Sequence, residues 1–146
     1  LGVVRKPTGD GTVFADIPGL IEGAHMGIGL GHEFLRHVER TRLLVHLVDI
    51  TSEDPIADYH TIQAELSAYG RGVAERRQIL ALNKLDAMPD TETVAAIAQQ
   101  LSAEAGQPIL QISAATGQGL EPLLNQIWLA LDTLEQETPD AFYQEV

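Results

Sequence analysis

The sequence predicts an α/β domain, a mostly parallel sheet with helices on both faces, and three observations carry that prediction. From residue 43 onward, short apolar runs of strand length alternate three times with longer stretches whose apolar residues recur at helical spacing. Such strand-helix-strand alternation requires right-handed crossovers and therefore parallel neighbours. The clearest strand run, Leu43 to Asp49, is almost continuously apolar instead of alternating, as expected of a strand buried on both faces. The chain of 146 residues is 45% hydrophobic, enough for the core of a single domain.

The elements follow in order. Leu1 to Arg5 and Thr12 to Ala15 are short runs rich in Val and Phe, separated by Pro7-Thr8-Gly9-Asp10-Gly11, a β-hairpin signal. The second run ends at Asp16, because Pro18 and Gly19 stop a central strand. Residues 20 to 31 hold too many glycines for a stable helix, and His32 to Arg42 then shows a helical pattern through Phe34, Leu35 and Val38. After the strand to Asp49, Asp54-Pro55 supplies an N-cap and a first-turn proline. The helix that follows carries the stripe Ile56, Tyr59, Ile62, Leu66 and Tyr69 up to Gly70.

Ile79 to Leu82 is the next strand, and Asp90 opens a helix with Val94, Ile97, Ala98 and Leu101 on one face, stopped by Gly106 and Pro108. Ile109 to Ile112 is the last strand. Beyond Gly117 and Gly119, the final helix lines up Leu120, Leu123, Leu124, Ile127, Trp128, Leu131 and Leu134, a face best spent on the core. One domain is expected over residues 1–136. The acidic residues Glu137, Asp140 and Glu145 mark 137–146 as a solvated C-terminal tail.

Ligands of parallel sheets collect at the carboxyl ends of the strands, so the residues there decide the chemistry. The first end is Asp16-Ile17-Pro18-Gly19: an Asp can hold a Mg2+-bound water, and a Gly lets a backbone N–H approach a terminal phosphate. Taken alone, that tetrapeptide is a weak signal and reads more readily as a turn. The strand over Ile79 to Leu82 runs into Asn83-Lys84-Leu85-Asp86. The carboxylate of Asp86 can accept from both N1–H and the exocyclic amine of guanine, a donor pair that adenine lacks. Asn83 can bridge base and loops, and the stem of Lys84 can lie along the purine face. The last strand ends in Ser113-Ala114-Ala115, whose small side chains leave room for a backbone N–H, that of Ala114, to reach the guanine carbonyl.

With these motifs in this order, the chain resembles the Obg family of GTPases. The resemblance lies in Asp16-Ile17-Pro18-Gly19-Leu20-Ile21-Glu22-Gly23-Ala24, Gly27-Ile28-Gly29-Leu30-Gly31, Phe34 to Thr41 and His46 to Asp49, together with Asn83 to Asp86 and Ser113 to Ala115. It implies a G domain of the P-loop NTPase type that binds GTP and GDP with Mg2+ and hydrolyses GTP slowly. It also implies a role in assembly of the large ribosomal subunit and in stress signalling. Asp16 and Gly19 become the catalytic pair, with Asp16 on Mg2+ through water and Gly19 on the terminal phosphate. Ile17, Pro18, Leu20, Ile21, Glu22 and Gly23 become switch II. Leu20 stands where many small GTPases place a Gln that orients the attacking water. An apolar side chain cannot do this, so low intrinsic activity is expected.

No Gly-x-x-x-x-Gly-Lys-Ser/Thr occurs among the 146 residues; the lysines are Lys6 and Lys84, and neither follows a glycine. The expectation is of a G domain without its central first strand, phosphate loop and switch I, most simply a piece of a longer protein, and unable to bind or hydrolyse GTP by itself. The competing reading is a non-catalytic interaction scaffold built on a degenerate G domain.

Composition excludes other classes. A formal net charge of -12 repels phosphate backbones, so direct nucleic-acid binding is not expected, although Arg71, Arg76 and Arg77 cluster. With no cysteine there are no disulfides or thiolate metal sites, which fits the cytoplasm. No apolar stretch is long enough for a membrane span. His32 and His37 share a helix face poorly at their spacing and do not suggest a metal site. The glycines at 27, 29 and 31 have the wrong spacing for a dinucleotide fingerprint.

Overall fold

The computed structural model describes residues 2–5, 11–14, 41–70 and 72–137. The hairpin is present: β1 (Gly2–Arg5) pairs antiparallel with β2 (Gly11–Phe14), Gly2 opposite Phe14 and Arg5 opposite Gly11. The stretch from Asp16 through Gly23 lies outside the described residues, as does most of the helix expected over His32 to Arg42. Its last two residues, Thr41 and Arg42, are described and are not helical.

A second sheet is parallel, in the order β3 (Leu43–Asp49), β4 (Arg77–Asn83), β5 (Leu110–Gln111). The β3–β4 register runs from Leu43 opposite Arg77 to Asp49 opposite Asn83, so the two strands end side by side. Strand β5 is shorter than the run Ile109 to Ile112 suggests. Even so, the Ile112 N–H donates to Leu82 O at 2.8 Å, so the chain still follows β4. Among the described residues, β3 pairs on one side only.

Three helices connect and cover this sheet: α1 (Pro55–Tyr69), α2 (Thr91–Ala105) and α3 (Leu120–Glu137). Helix α1 starts where Asp54 accepts from the Ala57 N–H at 3.0 Å, with Pro55 in a first-turn place that needs no donor. Asp90 caps α2 in the same way, through the N–H groups of Glu92 and Thr93. Both helices stop at glycines of positive φ, Gly70 and Gly106.

Alternation along the strands sends neighbouring residues to opposite faces. On one face, Val48, Leu80 and Leu82 pack with Tyr59 of α1 and with Val94, Ala98 and Leu101 of α2. A smaller cluster of Leu66 and Val73 extends that face under Leu44. On the other, Ala81 and Ile112 pack with Leu123, Ile127 and Leu131 of α3, and Trp128 adds to the contact as expected. The layering is helix, sheet, helix, the α/β architecture that the alternation predicts.

One polar cluster sits within the packing. His46 of β3 stacks on Tyr59 at 5.7 Å between ring centres, and Gln63 and Gln78 exchange amide hydrogen bonds at 2.8 and 3.1 Å. Gln63 also meets Nδ1 of His46 at 3.4 Å. The network ties α1 to β3 and β4. Burial holds the His46 pKa down to about 4, so its ring is neutral.

Candidate functional site

The carboxyl ends of β3, β4 and β5 bring together the sequence-predicted residues that the structure describes. Strand β4 ends at Asn83, and the chain then turns through a short 3-10 segment, Leu85–Ala87, that carries Asp86. That turn forces Lys84 into the left-handed region at φ 69°, the sole described non-glycine residue with positive φ. The Leu85 N–H donates to Ile112 O at 3.3 Å and fastens the turn to the chain leaving β5.

Two hydrogen bonds join the Asn83–Asp86 segment to the loop after β5. Ser113 Oγ donates to Asp86 Oδ1 at 2.7 Å, and the Ala114 N–H donates to Asn83 Oδ1 at 3.0 Å. Ser113 is fully buried and its Oγ also accepts from the Thr116 N–H at 3.2 Å. With both roles of the hydroxyl assigned, the Asp86 carboxylate is held in one orientation. Its other oxygen has no hydrogen-bond partner among the described residues, while the side chain is exposed. An oriented, exposed carboxylate with one oxygen open can accept from a pair of adjacent ligand donors. The Ala114 N–H, which the sequence reading assigns to a guanine carbonyl, is given to Asn83 Oδ1 here.

The loop is closed by Gly119. Its φ is +76°, and a Cβ there would lie 2.4 Å from Gln111 O and 3.2 Å from Ile112 Cα. Only glycine lets the backbone pass so close to β5. The Ser113 N–H then donates to Gln118 O at 2.9 Å and the Gly117 N–H to Ser113 O at 2.8 Å, so residues 113 to 118 form a tight turn beside Asp86. Ala115 lies exposed on that turn with only a methyl group as its side chain.

Asp49, the last residue of the strand run Leu43 to Asp49, has no role in the sequence reading and is the residue missed there. Lys84 Nζ donates to its Oδ2 at 2.8 Å, while the Thr51 N–H and Oγ donate to its Oδ1 at 2.8 and 2.6 Å. The Lys84 hydrogen bond first, and those from Thr51 next, hold the Asp49 carboxyl below its ordinary range. Both side chains are open to water, Lys84 at 55% and Asp49 at 38%. An exposed pair of this kind contributes about 0–1 kcal/mol to stability. The left-handed backbone at Lys84 costs roughly 1–2 kcal/mol. The pairing therefore adds little to the stability of the fold, and it holds the Lys84 ammonium against the end of β3. The signal that could have found Asp49 was its position: it ends the strand adjacent to the one that ends in Asn83.

Asp16 and Gly19, together with Ile17, Pro18, Leu20, Ile21, Glu22 and Gly23, lie outside the described residues. Among the described residues no group of three or more His, Asp or Glu side chains is placed to hold a metal ion. No described helix is long and apolar enough to cross a membrane.

Residues 2–84 match the family of 50S ribosome-binding GTPases. The chain is 65% identical to a protein named GTPase Obg from Microcystis aeruginosa over 145 residues, which is 97% of this chain and 42% of that protein. It is 64% identical to a GTPase Obg from Crocosphaera subtropica and 62% identical to one from Acaryochloris marina, in each case over 97% of this chain and 41% and 40% of theirs. The chain therefore spans about two fifths of the length of these relatives. The parallel sheet, the joined strand ends and these matches agree: the chain belongs to the 50S ribosome-binding GTPase family and to its Obg branch.

Proposed function

We propose that this chain is the base-reading and switch part of an Obg-type GTPase that binds GTP and GDP and hydrolyses GTP slowly, as a switch in large ribosomal subunit assembly and stress response in the cytoplasm. The observation that carries the reading is the pair of bonds Asp86–Ser113 and Asn83–Ala114, which fix two loops around one oriented carboxylate. Asp86 accepts from N1–H and the exocyclic amine of guanine. Ser113 holds Asp86 in place, and Asn83 holds the Ser113-Ala114-Ala115 turn while sharing the Ala114 N–H with the guanine carbonyl. Lys84 lends its stem to the purine face.

Asp16 and Gly19 serve the phosphate end, with switch II over residues 17 to 23. A hard carboxylate such as Asp16 suits Mg2+ through a bound water, and that ion would neutralise phosphate charge when present. Leu20 contributes no hydrogen bond to water, which makes turnover slow. The domain is residues 1–136, with 137–146 a tail. The interaction-scaffold alternative loses ground because one oxygen of the oriented Asp86 carboxylate takes no part in joining the two loops.

The test is nucleotide preference in the full-length protein. Asp86→Asn replaces an acceptor by an amide donor, which suits the C2 carbonyl of xanthine and not the amine of guanine. Fluorescent GDP should bind at least tenfold more weakly, with xanthosine diphosphate gaining by a comparable factor, about 1.4 kcal/mol for each tenfold. Guanine affinity unchanged by the substitution rules out Asp86 as the base reader.

A further inference from the structure

We propose that Asp49 is a positioning residue of the base site, holding the stem of Lys84 across the ends of β3 and β4 so that the purine face meets a fixed surface. The inference rests on the reading of Asp86 and its neighbours as a guanine site, and goes beyond it by adding a residue from a different strand.

Three observations carry it. The β3–β4 register sets Asp49 directly opposite Asn83, so Asp49 stands one residue out of register from Lys84, which follows the adjoining strand. Both Asp49 oxygens are committed: Oδ2 to Lys84 Nζ, and Oδ1 to the N–H and Oγ of Thr51. The carboxylate is therefore an anchored acceptor and not a mobile counterion. Lys84, for its part, leaves a left-handed backbone turn, and its ammonium is drawn back to β3 while Asp86, two residues on, is held toward Ser113. The four-carbon stem thus bridges two strand ends beside the base reader. An unanchored lysine would sample many rotamers, and ordering it would be charged against ligand binding. The depressed Asp49 carboxyl agrees, since the anchor stays ionised through the neutral range.

A pair that only stabilised the fold would affect melting and would act independently of ligand. Asp49 should instead act on nucleotide through Lys84 alone, which a double-mutant cycle can isolate. In the full-length protein, dissociation of fluorescent GDP would be followed for the wild type, Asp49→Ala, Lys84→Met and the double variant. Asp49→Ala should speed dissociation about tenfold, with the melting temperature changed by only a few degrees. The double variant should dissociate within about twofold of Lys84→Met. Additive effects, or an Asp49→Ala protein that releases GDP at the wild-type rate, overturn the proposal.

Thr51→Val supplies a second route should Asp49→Ala fail to fold. It removes one donor from Asp49 Oδ1 and leaves both charges. It should speed release two- to threefold with Lys84 present and leave it unchanged in the Lys84→Met background; an equal effect in both backgrounds counts against the anchor. Asp86→Asn separates the two levels of argument. If it shifts preference to xanthine while Asp49→Ala changes nothing, the base site stands and the Asp49 role falls. If guanine preference survives Asp86→Asn, the site reading itself falls.

Discussion

At the scale of single residues, two side chains with little exposed charge govern measurable behaviour. Ser113 is buried and orients Asp86, so Ser113→Ala should release the carboxylate, whose exposed position leaves it to be solvated by water. The expected result is severalfold weaker fluorescent-GDP binding by the full-length protein with guanine preference kept, the reverse of the Asp86→Asn outcome; a preference shift would show that Ser113 touches the base itself. His46 sets a pH dependence. Its folded pKa near 4 lies below the 6.5 of the free side chain, so the fold favours the neutral ring. No penalty exists above pH 6.5. As pH falls toward 4 the unfolded chain takes up a proton that the folded chain refuses, and stability drops by an amount approaching about 3 kcal/mol. His46→Phe keeps a ring against Tyr59 and removes the titration. Urea unfolding at pH 7 and pH 4.5 should show the wild type losing about 2 kcal/mol more than the variant across that interval. Equal losses would assign the acid sensitivity to other groups. Of these residues, the sequence showed Asp86 and Ser113 as candidates because their types match guanine chemistry at strand ends. It could not show that Ala114 donates to Asn83, or that Asp49 receives Lys84, because both pairings cross between segments 31 and 35 residues apart.

At the scale of elements, the three described helices were legible and the last strand less so. Caps and stops at Asp54, Gly70, Asp90 and Gly106 are local chemistry, and the structure uses each as its type suggests. Strand β5 contracts to two residues because the chain must turn away at Ile112 to make the loop that Gly119 closes. That closing point is sensitive. Gly119→Ala would put a methyl 2.4 Å from Gln111 O in a backbone region that alanine avoids. A cost on the order of 3 kcal/mol follows. Because the same turn holds Ser113 and Ala114, nucleotide affinity should fall along with the unfolding midpoint. Wild-type stability in Gly119→Ala would mean that the loop can move off β5 at no cost. Gly117, also of positive φ but with open space around it, should tolerate alanine better.

At the scale of the whole molecule, the sheet is asymmetric. Strand β3 is apolar at five of its seven residues yet pairs on one side only among the described residues, and Leu47 near its centre is 46% exposed. A strand with this composition is suited to a place between two neighbours. In the G-domain reading the neighbour is the strand that leads into a phosphate loop, and no such loop motif occurs in the 146 residues. The prediction is that this chain by itself binds fluorescent GDP no better than millimolar, while the full-length protein binds it far more tightly. Micromolar affinity of the 146-residue chain would show that the base site holds nucleotide without a phosphate cradle.

The sequence by itself determined the α/β class, the positions of the three described helices and the identity of the strand-end motifs. Periodicity, capping and residue chemistry act within a few neighbouring residues, so they can be read in one dimension. Only the tertiary structure decided that Asp49 stands opposite Asn83, that Ser113 aims Asp86, and that Asn83 takes the Ala114 N–H. Those relations depend on parallel register, and register is settled by packing helices against both faces of the sheet, a cooperative property that no single segment carries.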